Sequence, residues 1–269
     1  MNGSRPGWVG VALAALVCLF MLAPLMAVVP VSFTPNRYLS MPDGEYSLRH
    51  YEGLVSNATW LNSALLSLRI GVVASIIATV LATAFSMGIW MFRPRWTPVL
   101  FGVALLPMVA PPVVSALTLY FLLAEVGKLL PWIGLDSFWG VVLTHVVMVA
   151  PFAVVLTTVA LSQVDRRIDL AARGMGASVQ TRAFKVLLPN IKFGVITALF
   201  LSFVMSWEEI GVTLFVTSVN TLTLPRQMWM GVRDNIDPAI AAISVLLILV
   251  VVSIVVIRTI WAHTASRKQ

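Results

Sequence analysis

A single cysteine, Cys18, is all the thiol the 269-residue chain has, and it lies in an apolar run. An internal disulfide and a cysteine-based metal cluster are therefore excluded. Charge is also scarce, with only 11% of residues Asp, Glu, Lys or Arg. The histidines, His50, His145 and His263, are far apart and fall on different sides or at different depths of the expected topology. There is no H-E-x-x-H zinc motif and no G-x-x-x-x-G-K-[ST] phosphate loop. There is no G-x-S-x-G nucleophile elbow either. The sequence thus offers no catalytic and no metal-binding residues, and the chain cannot be its own ATPase.

What it does have is apolar surface. Hydrophobic residues make up 59% of the chain and the mean hydropathy is +0.94. A soluble domain cannot hide that much, so a polytopic membrane protein is expected, with lipid as its surroundings. The net charge of +7 would suggest nucleic acid for a soluble chain. In a membrane protein the basic residues mark cytoplasmic loops instead, and no nucleic-acid partner is expected. Arg5 followed by the run Trp8 to Val31 has the look of a signal peptide, but the run is about twice the usual length of the apolar region of one. It is read as a retained first span.

Six spans are expected, at about 8–31, 61–91, 97–123, 137–160, 191–216 and 239–262, in one transmembrane domain covering 1–269. Each approaches the ~20 residues that cross the hydrocarbon core, and helices satisfy their own backbone there, giving an all-α fold. With the N-terminus inside, the inner segments hold Arg5, Arg93, Arg95, Arg166, Arg167, Arg173, Arg182, Lys185, Lys192, Arg258, Arg267 and Lys268. The outer segments hold only Arg37, Arg49, Lys128, Arg226 and Arg233. This excess puts both termini in the cytoplasm.

Several residues interrupt the spans and are candidates for a translocation pathway. Pro111 and Pro112 make a straight third span improbable. The break either lines a cavity or is a packing kink. The segment Ala124 to Asp136, with Gly127, Pro131 and Gly134, reads as a short outer re-entry. His145 within the fourth span needs either a wet cavity or a helix-to-helix hydrogen bond. Trp207, Glu208 and Glu209 end the fifth span, and two adjacent carboxylates near membrane depth are expensive unless functional or paired. Lys192 to Glu208 is roughly 24 Å along a helix and Leu61 to Arg69 about 12 Å from the other face. Arg69 is therefore expected within reach of Glu208 or Glu209, as a buried ion pair.

The longest polar interruption is Asp165 to Pro189. Asp165 and Asp169 are suitable helix starters. Ala172 and Gly176, four apart, would share a face of small residues open to another protein. Gly176 also permits a turn after the short helix. The pattern is Leu170-Ala171-Ala172, three residues, Gly176, nine residues, Val186, then Leu188-Pro189. It resembles the EAA loop, E-A-A-x3-G-x9-I-x-L-P, of the permease subunits of bacterial ATP-binding-cassette (ABC) importers. The runs Leu143 to Val154 and Leu201 to Val216 look like the polyamine-type (spermidine/putrescine) permeases. So do Thr223-Leu224-Pro225, Ile236-Asp237-Pro238 and Ala241 to Ile243.

The resemblance implies a type I importer permease fold in the bacterial inner membrane, of the second-permease kind. It implies a related permease as partner, two cytoplasmic ATPase subunits that use ATP and Mg, and a periplasmic solute-binding protein. This chain itself would hold no cofactor. Asp169, Leu170, Ala171, Ala172, Arg173, Gly176, Ala177, Leu188 and Pro189 would form the coupling contact to the ATPase. Two departures stand out. The motif glutamate is Leu170 here, with Asp169 the nearest acid, and Ala110 to Val113 lacks the acid that polyamine permeases often carry. Glu208-Glu209 matches an acidic pair of those relatives. The rival reading is a proton-coupled secondary transporter using Glu208, Glu209 and His145. Such carriers usually show repeated halves and more than six spans, and no repeat is found.

Overall fold

The computed structural model describes residues 7–234 and 237–266. Arg5, Asn235, Ile236, Arg267 and Lys268, which the topology and loop readings also used, lie outside the described residues. Among the described residues all regular structure is helical.

The helices are α1 (Trp8–Val31), α2 (Arg49–Ser56), α3 (Ala58–Phe92), α4 (Thr97–Val109), α5 (Pro112–Leu129), α6 (Phe138–Ser162), α7 (Arg166–Gly174), α8 (Lys192–Trp207), α9 (Leu224–Asp234) and α10 (Ala239–Ser266). Shorter turns lie between them. Five of these (α1, α3, α5, α6 and α10) are long and apolar enough to cross a membrane, and the bent pair Val179–Asn190 with Lys192–Trp207 supplies a sixth. Three differences from the expected spans follow. The third span is split at Ala110-Pro111: Ala110 is extended, and Pro112 starts α5 where its missing N–H costs nothing. Helix α5 runs on to Leu129, so the chain turns back later than expected, through a single 3-10 turn at Pro131–Ile133. A Cβ on Gly127 would stand 2.8 Å from Gly134 Cα, so these two glycines let the returning strand of chain lie against the helix. The fifth span stops at Trp207 and resumes only as one turn, Thr213–Val216.

The chain forms two compact units, Asn62–Gln227 and a second made of Met1–Leu61 with Met228–Gln269. In the second unit α1 and α2 both pack on α10. No residue of α1 is buried, which suits a helix bathed in lipid or covered by another chain.

The unit Asn62–Gln227 is built around α6, which packs against α4 and α8. Its main core joins Ile70, Ala74 and Ala78 of α3, Ala116, Leu119 and Leu123 of α5, and Val141, Val142, Val146 and Val149 of α6. The spacing of three and four puts each set on one helical face, and the alanines let backbones approach closely. Gly194 of α8 meets Ala160 of α6 so closely that a Cβ would collide. A buried polar seam also crosses the helices, with Ser86 Oγ 2.8 Å from Thr157 Oγ1 and 3.0 Å from Thr158 Oγ1. A second cluster at the other end, Met87, Trp90, Leu161, Leu187 and Ile191, seats the loop that follows α6.

Candidate functional site: a capped loop and a broken span

The loop after α6 folds into a compact device. Asp165 caps α7, its carboxylate accepting from Arg167 N at 2.8 Å. Helix α7 ends in a Schellman arrangement: Gly176 N donates to Arg173 O at 2.9 Å and Ala177 N to Ala172 O at 3.0 Å. Gly176 has φ +79°, the left-handed conformation such a cap requires. The chain then makes one helical turn at Val179–Thr181 and a π-helical stretch at Arg182–Leu187 before bending by 75° into α8.

The two pieces of the loop are joined by charge. Arg182 Nε and Nη2 donate to the two oxygens of Asp169, each at 2.7 Å, and both residues are 6% exposed. Donating these hydrogen bonds to Asp169 raises the Arg182 pKa above its ordinary value, against the opposing effect of burial. Ala172 is buried, only 4% exposed. It faces inward, and the expected shared small face of Ala172 and Gly176 is not formed, because the helix ends before Gly176. The exposed face of α7 carries Leu170 (60% exposed), Ala171 and Arg173, followed by Met175 (82% exposed). Ala177 and Leu188 are half-buried and Pro189 is exposed. Arg166 reaches back, with its guanidinium 4.7 Å from the Trp90 ring centre.

The second feature is the break after α8. Trp207 is the last residue of α8, and its ring lies 6.1 Å from that of Phe203. Glu208 is exposed; Glu209 is half-buried and its Oε1 accepts from Val212 N at 2.8 Å. A Cβ on Gly211 would stand 3.8 Å from Pro112 Cβ, so the break in this span lies beside the break at Pro111-Pro112. Two of the predicted interruptions therefore meet. Arg69 does not join them. It is exposed on α3, and the ion pairs among the described residues are Lys128–Glu125 and Arg182–Asp169. The expected Arg69–glutamate pair is absent: equal depth does not make two side chains face each other.

His145 is not exposed to a pathway. It is 2% exposed, and its ring nitrogens lie 2.8 Å from Ser206 Oγ and 3.1 Å from Thr213 Oγ1. The helix-to-helix reading is the one the geometry favours.

Sequence reasoning missed Asp136. Its carboxylate accepts from the amides of Ser218, Val219, Asn220 and Thr221, from Asn220 Nδ2 and from Thr221 Oγ1, at 2.7 to 3.1 Å. Its own amide donates to Val216 O at 2.9 Å. Burial alone would raise its pKa, but these donors hold it at about 2, below the ordinary 3.8. Asp136 has φ +53°, a left-handed position an aspartate tolerates better than most residues. The only sequence signal is an acid two residues after Gly134 and next to Ser137, which caps α6. Among the described residues, no three His, Cys, Asp or Glu side chains come together as a metal-holding group.

The comparisons with known proteins agree with this architecture. The family described as "Binding-protein-dependent transport system inner membrane component" matches residues 82–267. The spermidine/putrescine transport system permease protein PotC of Haemophilus influenzae is 28% identical over 242 residues, 90% of this chain and 91% of that one. A probable molybdenum ABC transporter permease protein of Haloferax volcanii is 33% identical over 198 residues, 71% of this chain and 72% of the relative. In fold, the chain matches one chain of a bacterial ABC transporter involved in the import of the acidic polysaccharide alginate. The TM-score is 0.71 at 14% identity, covering 93% of this chain and 94% of that chain. The type I permease fold expected from the sequence is the one observed, and the proton-coupled carrier finds no support. The chain belongs to the family of binding-protein-dependent transport-system inner-membrane components, as a multi-pass permease subunit of an ABC importer.

Proposed function

We propose that this permease forms, with a related second permease, the inner-membrane pathway for a polyamine-like cation. A periplasmic binding protein delivers the solute, and two ATPase subunits on the cytoplasmic side drive transport with ATP and Mg. Both termini lie in the cytoplasm on this reading, which the excess of basic residues in the inner segments supports.

The observation that carries the substrate class is the acidic break. Glu208 and Glu209 sit where two interrupted spans meet, in a region where irregular backbone is tolerated only beside protein or a water-filled cavity. Carboxylates there attract a cationic solute. The relatives named for spermidine and putrescine, matched over most of this chain, support the same class. A second reading, an oxyanion, is favoured by the relative named for molybdenum. The carboxylates of Glu208 and Glu209 would repel an anion, so the cation is preferred.

Coupling runs through the loop from Asp165 to Pro189. Its exposed residues Leu170, Ala171, Arg173 and Met175 form the contact to the ATPase, and Asp169, Ala172, Gly176, Ala177, Leu188 and Pro189 give that contact its shape. Asp169 is held by Arg182 inside the loop and is not free to meet a partner's cation. Leu170, in the position of the family's glutamate, is free. The coupling contact of this subunit is therefore more apolar than its motif suggests. The test is uptake by the reassembled importer: spermidine competing for uptake, and molybdate failing to compete, supports the cation reading, and the reverse pattern supports the oxyanion.

A further inference from the structure

His145 sits two turns into α6, buried, with both ring nitrogens engaged across to the broken span. The direction of each bond can be worked out. Thr213 Oγ1 donates its one proton to Glu209 O at 2.9 Å. Toward His145 Nε2, at 3.1 Å, it can then only accept, so the proton is on Nε2. A neutral ring protonated at Nε2 is an acceptor at Nδ1, where the Ser206 hydroxyl lies 2.8 Å away and donates. The chain of donors runs from Ser206 through the ring to Thr213 and ends on the backbone carbonyl of Glu209.

Ser206 and Thr213 are the last buried hydroxyl before the break and the first after it, 3% and 0% exposed. Between them lie Glu208, Glu209, Ile210, Gly211 and Val212, which are outside regular helix. A break of this kind leaves backbone groups without helical partners. Glu209 O is one of them, and Thr213 takes it up.

We propose that His145 is a positioning residue for solute passage: a neutral imidazole that ties both ends of the break together and so fixes where Glu208 and Glu209 point. The proposal rests on reading Glu208 and Glu209 as part of the pathway. A histidine that served packing alone would need no bond to both sides of the break that carries Glu208 and Glu209. The outer end of the same segment is fixed from the same helix, since Asp136, just before α6, holds residues 218–221. The backbone that carries the acidic pair is thus held at Ser206 and Thr213, and residues 218–221 are fixed beyond it.

The test uses the whole importer in proteoliposomes, with spermidine as the probe, and measures uptake and ATP hydrolysis together. Thr213→Val keeps the shape and removes the hydroxyl; His145→Leu removes both bonds; His145→Gln keeps an amide acceptor and donor. Loss of one or two such bonds should lower uptake about tenfold while hydrolysis per assembled complex continues, so the ATP consumed per spermidine rises. His145→Gln should recover most of the loss. Equal falls in uptake and hydrolysis, or no recovery with Gln, would overturn the proposal. If His145→Leu fails to assemble, Thr213→Val decides alone.

Two further arms separate the proposal from the reading beneath it. Glu208→Gln with Glu209→Gln should give the same uncoupled signature; normal spermidine uptake in that double variant sinks the pathway reading. The 15N spectrum of histidine-labelled complex, taken as wild type minus His145→Gln, should show the proton on Nε2. A proton on Nδ1 sinks the strap, whatever the solute proves to be.

Discussion

Arg182 grips Asp169 through two hydrogen bonds of 2.7 Å, and neither side chain reaches solvent appreciably. The pair joins α7 to the π-helical stretch and so turns a polar loop into one rigid piece. The planar guanidinium matches the carboxylate as a fork, a geometry lysine cannot reproduce.

Removing one partner should therefore be worse than removing both. Asp169→Asn or Arg182→Gln leaves a buried charge uncompensated, at a cost of about 3–5 kcal/mol to the loop. Protease cleavage of the loop in membrane vesicles should rise steeply in either variant. The apolar double variant Asp169→Leu with Arg182→Met should be less labile than either single variant.

Gly176 should tolerate no β-branched residue. Its φ of +79° costs an L-residue about 1–2 kcal/mol, although no neighbour lies within 4 Å of an added Cβ. Gly176→Val should weaken ATPase recovery in a pull-down of the tagged chain. Gly174→Ala, with no such φ, should leave it unchanged.

Leu170 and Met175 test the apolar character of the coupling contact. Both are exposed, so Leu170→Ser and Met175→Ser should leave the permease folded. Each should weaken ATPase binding by up to about tenfold, from the loss of one apolar anchor. Binding to the unmodified loop should also survive raised salt, which screens ionic contacts and spares apolar ones.

Asp136 makes a prediction about pH. Its pKa is lower in the folded chain than its ordinary value, so its contribution is fully present above 3.8 and is lost as pH falls through about 2. Hydrogen exchange at residues 218–221 should show no loss of this protection between about pH 5 and 8, beyond the intrinsic effect of pH. Asp136→Ala leaves the Thr221 hydroxyl and several amides without their acceptor, at about 1–3 kcal/mol. Exchange there should then rise about tenfold or more.

Much of this is legible in the sequence. Trp8 to Val31 is a helix over the very residues of its apolar run, because length and hydropathy alone decide a span. Pro111-Pro112 announced the broken third span, and Gly176 announced the turn, because proline and glycine act locally. What could not be read depended on direction. Depth along the spans matches Arg69 with Glu208, but a helix also has a rotation about its axis, and Arg69 is turned outward. Ala172 and Gly176 share a spacing, but α7 ends between them. The clip from Asp136 to residues 218–221 joins segments remote in sequence, and no local pattern reports it. His145 was legible as a residue in need of a partner; which partner was not.

The central claim is that this chain is the permease of an ATP-driven importer of a polyamine-like cation. The most direct measurement is spermidine uptake into proteoliposomes holding the tagged chain with the subunits that purify with it, with and without ATP. The account predicts uptake that requires ATP and the binding protein and is lost in Glu208→Gln with Glu209→Gln. Uptake driven by a proton gradient without ATP would contradict it. So would an ATP-driven complex that moves molybdate and ignores spermidine.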